Sequence, residues 1–241
     1  MFLVRLVVSF ILVVSVLANP VSLTLFAGYA NQLAYKGAPT WPGPSLIIAP
    51  FFAFFDGHLR LTGPGLTWAF YDREDQHQFE IGFKYSDGAQ KPMIRLNDTT
   101  ESFRNKRRSV VDTNIKYTYR FGEKNRWGFG VDIEREIHRY NGVSSEFAFY
   151  APLIPLVSFK YSINIAEKSS NQYAYGPEAN GGVGYQSYTI SNFIPFVPWN
   201  GRIINTLSYS VIGQGASRHA DYVRGDYKNW IFITRWMWSI F

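Results

Sequence analysis

Cysteine is absent from the 241-residue chain. That excludes the small disulfide-stapled scaffolds and leaves a chain of this size to be held together by other means. Charge is also scarce, at 17% of residues, against roughly a quarter in ordinary soluble domains. After residue 18 no stretch approaches the roughly 20 apolar residues that a membrane helix needs. A strong charge bias is missing as well. With Arg5 set aside, 23 Lys and Arg face 18 Asp and Glu, a balance too mild and too dispersed to argue for a nucleic-acid partner. What the chain has in excess is aromatic residues, at 18%.

Residues 1–18, MFLVRLVVSFILVVSVLA, carry one early cation, Arg5, then an apolar run from Leu6 to Leu17 and a small residue, Ala18. The run is too short to span a bilayer and reads as a secretory signal peptide cleaved before Asn19. An uncleaved anchor is the alternative. The expected domain division is 1–18 signal peptide and 19–241 mature chain.

The stretch VVDTNIKYTYRFG, residues 110–122, shows what the mature chain is built from. Val111, Thr113, Ile115, Tyr117, Tyr119 and Phe121 alternate with Asp112, Asn114, Lys116, Thr118 and Arg120. The same period of two runs through Phe79–Tyr85, Trp127–Ile133 and Val157–Ile165. Successive side chains of a strand point to opposite faces, so each segment has a greasy face and a polar, partly charged one. A soluble antiparallel sheet would also alternate. Three further features favour a transmembrane barrel: large aromatics near the strand ends, turn signals at Asp56-Gly57, Asp87-Gly88 and Asn141-Gly142, and the terminal residue Phe241. Such girdles and an up-and-down meander belong to outer-membrane barrels. A terminal Phe on the last strand is the usual signal for the barrel-assembly machinery. With rings against lipid and charges inside a closed cylinder, no backbone edge is left in hydrocarbon. The expected fold is all-β, a transmembrane antiparallel up-and-down β-barrel in the outer membrane of a Gram-negative bacterium.

Eleven strand candidates are legible: 21–33, 45–55, 58–71, 77–86, 110–121, 126–138, 145–151, 155–166, 182–195, 201–212 and 227–241. Bacterial barrels have even strand numbers. A twelfth strand is therefore expected in KPMIRLND, after the Ser86-Asp87-Gly88 turn. Ten strands is the alternative, if 145–151 and 90–97 are both loop. With twelve, the long segments 35–44, 97–108, 167–181 and 213–226 fall on the outer side.

The order of motifs resembles the MltA-interacting protein / OmpV family. FAGYANQLAYKGAPTWPGPSLIIAPFFAFFDG is similar to that family's first hairpin, with Gly28, Tyr35, Gly37, Pro50, Phe51 and Phe52 at its marked positions. GPGLTWAF, FEIGFKYSDGAQ and YAYGPEANGGVGYQSY continue the likeness, while the ending Ser239-Ile240-Phe241 departs from the Tyr-Arg-Phe common there. The resemblance implies an outer-membrane barrel without catalytic residues. It implies a scaffold that brings a murein hydrolase and a murein synthase together, which is the expected function, with a small-solute channel or a surface adhesin as the alternatives.

The chemistry-bearing residues fit no enzyme pattern well. Ser144 or Ser145 with His138 and Glu136 is the nearest approach to a nucleophile, base and carboxylate set, and polar rim residues are the simpler reading. Asp72, Glu74, Asp75 and His77 lack the spacing of a Ca²⁺ loop and read as a solvated outer loop. NGGVGY, 180–185, lacks the Lys and helix of a phosphate loop, so its glycines are expected to relieve crowding at a strand start. No cofactor is expected. The informative set is the inward charges Glu80, Lys84, Asp112, Lys116, Arg120, Asp132, Glu134 and Lys160. They either line a narrow selective pore for small solutes or pair across neighbouring strands to offset the cost of enclosure. The basic run Arg104, Lys106, Arg107 and Arg108, on the outer side, suits the phosphates of lipopolysaccharide; a solvated loop is its alternative.

Overall fold

The computed structural model describes residues 22–41, 44–62, 65–71, 76–86, 94–95, 109–196, 201–213, 218, 220, 223 and 227–239. The expected signal peptide, the basic run at Arg104, Lys106, Arg107 and Arg108, and Phe241 lie outside these residues. The alternating segments are strands β1 (Ser22–Ala30), β2 (Leu33–Tyr35), β3 (Ala38–Trp41), β4 (Ser45–Phe54), β5 (Leu59–Thr62), β6 (Gly65–Tyr71) and β7 (His77–Ser86). They continue as β8 (Ile94–Arg95), β9 (Val110–Phe121), β10 (Trp127–Glu136), β11 (Val143–Ile154) and β12 (Val157–Ala166). Helix α1 (Lys168–Tyr175) follows, and then β13 (Gly182–Phe196), β14 (Gly201–Ile212) and β15 (Lys228–Ser239).

Strand β1 closes the ring. It pairs with β15 on one edge, from Thr24 opposite Ser239 to Ala30 opposite Ile233, and with β4 on the other, from Ser22 opposite Ala53 to Ala30 opposite Ser45. Twelve antiparallel strands then run in order through β1, β4, β5, β6, β7 and β9–β15. The hairpin β2–β3 and the short β8 stand outside the ring. The protein is a closed twelve-stranded barrel, and the ten-strand alternative is excluded because β11 runs the full length of the wall.

The twelfth strand is not where the sequence placed it. KPMIRLND contributes the two-residue β8, bonded to Ser45 and Leu46 at the end of β4. The additional barrel strand comes from 58–71, which is a hairpin, with Leu59–Thr62 opposite Gly65–Trp68. The physical reason is a phase change. Leu59 and Leu61 fall on odd positions and Leu66, Trp68 and Phe70 on even ones, so one continuous strand would turn half its apolar residues inward. In the sequence the phase breaks at Gly63-Pro64, residue types that favour turns, although both lie outside the described residues. One consequence follows for the loops. Tyr71 and His77, which flank the acidic segment 72–76, sit at the end of the barrel that carries the short turns 55–58, 122–126 and 155–156. The expected outer position of His77 is therefore corrected to the short-turn, periplasmic end, while Asp72, Glu74 and Asp75 lie outside the described residues. Ser86 and Val110, the paired strand ends on either side of 87–109, lie at the opposite end.

Outside the ring most side chains are large, apolar and exposed, with a few polar ones such as the hydrogen-bonded pair Asn192 and Asn205 among them. Ile81, Ile115 and Ile133 are register neighbours on three adjacent strands and 40–50% exposed. A row of rings crosses eight strands: His77, Tyr119, Phe129, Phe149, Tyr161, Tyr188, Tyr209 and Trp230 are successive register partners. Ring centroids along it lie as close as 4.6 Å, between Tyr209 and Trp230. The row begins at the first residue of β7, at the short-turn end, and finishes three residues into β15, near the long-loop end. It climbs because strands in a closed barrel tilt against the axis. A largely apolar exterior on a sheet closed into a ring is the construction of an outer-membrane protein, and that is where this barrel resides.

The long-loop end is closed from within. Ala38 of β3, Tyr173 and Tyr175 of α1, Val110, Ile212 and Val223 form a buried cluster over it. At the hairpin tip Gly37 has φ +78°, a conformation side chains disfavour, and a Cβ there would stand 3.2 Å from the Tyr185 Cβ.

Replacing Ile115, in the middle of the lipid-facing wall, by Lys is expected to lower stability by about 2–4 kcal/mol. Urea-dependent folding into phosphatidylcholine vesicles measures it. A change within experimental error would remove the lipid assignment of that face.

Candidate functional site

The closed ring of strands surrounds a lumen, and the lining of that lumen follows from the pleat. Register sets Glu80, Lys84, Asp112, Lys116, Arg120, Asp132, Glu134 and Lys160 on the face opposite the exposed Ile81, Ile115 and Ile133, and of these Lys84, Asp112, Asp132 and Glu134 line a common cavity. The register arranges them in rows. Glu80, Lys116, Asp132, Glu146, Asn164 and Tyr185 are successive partners across β7, β9, β10, β11, β12 and β13. One step toward the long-loop end come Asn114, Glu134 and Ser144, and then Lys84, Asp112 and Glu136.

Much of this charge is paired within the wall. Glu80, 6% exposed, receives Arg60 at 3.1 Å and Lys116 at 3.0 Å. Glu146 receives Lys160 at 2.6 Å and the Tyr185 hydroxyl on its other oxygen. Asn114 donates to Asp132 at 3.2 Å. Arg120 lies 5.6 Å from the centre of the Tyr150 ring. Opposite charges on neighbouring strands offset one another's desolvation, so the barrel can enclose them.

The remaining lumen wall is of two other kinds. On β13 and β14, hydroxyls form a ladder: Thr189 with Ser208 at 3.0 Å, Ser191 with Thr206 at 3.3 Å, and Ser210 to Ser187 at 3.4 Å. Thr206 also accepts from Arg235 at 3.1 Å. On β15, Ile231 and Ile233 are the register partners of Ser208 and Thr206 and share their inward face. A charged sector, a hydroxyl sector and an apolar sector thus follow one another around the lumen.

The charges also separate along the axis. Arg60, Lys116, Arg120, Lys160, Arg202 and Arg235 belong to the short-turn halves of their strands. Asp112, Asp132, Glu134 and Glu146 belong to the long-loop halves. Glu80 and Lys84 cross the division.

A cavity of about 490 Å³ occupies the acidic half. Asp112, Asp132, Glu134, Glu146, Asn114, Asn164 and Tyr185 line it, with Thr62, Thr67 and Lys84 on the β5–β7 side. Ala34 and Lys36 of the β2–β3 hairpin complete the lining. The hairpin tip is held by polar contacts that reach across the barrel. The Lys36 ammonium bridges Glu134 at 3.0 Å and donates to Ser144 at 2.8 Å. Tyr175 donates to the Lys36 carbonyl at 2.9 Å, and Asn229 to the Gly37 carbonyl at 2.8 Å.

Sequence reasoning missed Lys36, Arg60, Glu146 and Tyr185. Glu146 and Arg60 carried a signal, because each alternates with outward apolar neighbours, Phe147 in one case and Leu59 and Leu61 in the other. Lys36 carried none, since a loop has no period.

The hydrolase set does not assemble. The Glu136 carboxylate accepts the backbone N–H groups of His138, Arg139, Tyr140 and Asn141 and so caps the turn after β10. Ser144 is engaged by Lys36. His77 faces outward, 2.7 Å from the Tyr117 hydroxyl. Among the described residues no group of three His, Cys, Asp or Glu could hold a metal. Gly184 fits the crowding reading, because a Cβ there would lie 2.7 Å from the Asn164 Oδ1 and 3.0 Å from the Tyr175 hydroxyl.

Glu80→Ala is expected to destabilise the barrel by roughly 2–3 kcal/mol, because it leaves two cations facing each other in the wall. Arg60→Ala, which leaves Lys116 still paired with Glu80, should cost less. Urea titration in vesicles ranks the two, and the reverse order would show that the ion triplet does not support the fold.

No protein-family model matches the chain, and no curated protein matches it. Solved structures with a similar course of chain are outer-membrane proteins. An outer membrane channel from Pseudomonas putida F1 is 10% identical, with 91% of this chain and 95% of that one covered and a TM-score of 0.45. The outer membrane protein OprD from Pseudomonas aeruginosa is 12% identical, with 91% and 66% covered and a TM-score of 0.38. A bacterial polysaccharide outer membrane secretin is 13% identical, with 82% and 65% covered and a TM-score of 0.33. At such values the likeness carries no detail of function, and the barrel rests on its own closed strand pairing.

Proposed function

We propose that the protein is a non-catalytic outer-membrane channel for small polar solutes, with the β2–β3 hairpin as the plug on its long-loop side. The observation that supports this reading is the cavity of about 490 Å³ inside the ring, walled by carboxylates, lysines, amides and hydroxyls. A barrel whose interior served only to fill itself would pack side chains in layers at crystal density. Here charged groups surround space instead, and the hairpin over that space is fastened by a few polar contacts centred on Lys36 and Gly37.

Outer-membrane lipid on the outside, and lipopolysaccharide at the basic run 104–108, are the lipid partners of the same proposal. The motif order keeps the MltA-interacting protein / OmpV family as the family proposal. A scaffold for murein hydrolase and synthase would need docking ground at the short-turn end. The described connections there, 55–58, 122–126 and 155–156, are two to five residues long, so transport is the preferred reading.

In planar bilayers the purified barrel is expected to show small discrete conductance steps. Replacing 33–41 by a short glycine linker should raise the unitary conductance several-fold. If neither form conducts, although heat-modifiable gel mobility shows both to be folded, the channel reading is overturned.

A further inference from the structure

The acidic half of the lumen sets four carboxylates on one wall, and each meets a base: Asp112 faces Lys84 and Asp132 faces Lys116 across the strand pairs, while Lys36 reaches Glu134 and Lys160 reaches Glu146. Asp132 and Glu146 are direct register partners on β10 and β11. Asp112 on β9 is the diagonal neighbour of Glu134 on β10. Like charges set opposite each other across a strand pair are destabilising unless a cation comes between them. A second observation is independent of the acids. Asn164, 3% exposed and lining the same cavity, has a buried Oδ1 without a hydrogen-bond partner among the described residues. The Asp112 Oδ2 is in the same condition, in a residue 4% exposed. Two buried acceptors in a wall of carboxylates call for a hydrogen-bond donor, and a charged donor is bound there most strongly.

The hairpin shows which donor fits. The Lys36 ammonium enters this cavity from the long-loop side and sits between Glu134 and Ser144. It is a primary ammonium on an alkyl stem, held in the site by its own chain. The described residues offer no metal-binding group, and a volume of about 490 Å³ is in the range of small-molecule pockets, roughly 300–1,000 Å³.

We propose that the cavity bounded by Asp112, Asp132, Glu134, Glu146 and Asn164 is a binding site for small linear alkylamines, for which the Lys36 ammonium is the tethered competitor. The inference deepens the channel reading by naming the class of solute, and it rests on that reading for its biological meaning. A bound diamine places one ammonium against the Asp112–Glu134 pair and the other near Asp132, Glu146 and the Asn164 carbonyl. It loosens the hold of Glu134 on the hairpin tip as it does so.

Isothermal titration calorimetry of the detergent-solubilised full barrel at low ionic strength tests this, with 1,4-diaminobutane as probe and 1,4-butanediol as its uncharged counterpart. The diamine is expected to bind and the diol not. Asp112→Asn and Glu134→Gln should each weaken the diamine about tenfold or more. Lys36→Met should strengthen it several-fold by removing the competitor. Equal binding of diamine and diol would overturn the proposal. So would unchanged diamine affinity in a folded Asp112→Asn barrel, or weaker binding by Lys36→Met. If Asp112→Asn does not fold, the diamine–diol comparison and Lys36→Met still decide. Calorimetry in detergent involves no conductance, so a barrel that binds diamine yet shows no steps in a bilayer would sink the channel and leave the site standing.

Discussion

Hydrocarbon offers a backbone nothing to bond with, and that one constraint shapes this molecule. Every N–H and C=O within the membrane must find its partner inside the chain. Strand β1 meets the constraint for the whole sheet, because it spends one edge on β15 and the other on β4. Once the sheet is closed its two faces can no longer be exchanged. The outward set, with Ile81, Ile115, Ile133 and the climbing row of rings, meets lipid, and the inward set must live in what remains. Pro50, which has no N–H to offer, falls on β4 between the stretch bonded to β8 and the stretch bonded to β5.

The lumen shows how charge is enclosed at tolerable cost. Register alone puts Glu80 beside Lys116 and Lys116 beside Asp132, and length lets Arg60 and Lys160 reach the acids nearest them. The compensation is uneven along the axis. Bases gather in the short-turn halves of the strands and acids in the long-loop halves, so the interior carries a field along its length as well as a sum of charges. The hairpin that covers the acidic half brings a cation of its own. The plug and the charged wall are thus joined electrostatically as well as sterically, and a change in one is felt by the other.

Legibility in the sequence followed range. Wherever a strand was long and alternated without a break, as in 110–121, its face assignment needed only the pleat, and Asp112, Lys116 and Arg120 could be placed inside from the sequence. The short hairpin 59–71 was read as one strand because four residues of β5 offer too little alternation to stand alone. Its phase change was visible but weak beside the attraction of KPMIRLND, and the twelfth strand was misplaced. The site was half legible. Its wall charges alternate, whereas Lys36 comes from a loop and meets Glu134 and Ser144 across about a hundred intervening residues.

The sequence by itself determined the period of two, the sign of each face and, from the apolar surplus outside, the solvent in which the barrel lives. These are properties of neighbours in the chain, carried by side-chain direction, which reverses at each residue. Only the tertiary structure decided which strands are adjacent, where the ring closes, and which acids share a wall. Those depend on contacts such as Asn229 with Gly37, 192 residues apart, whose energy is realised only after the loop between them has been closed, and no local pattern encodes them.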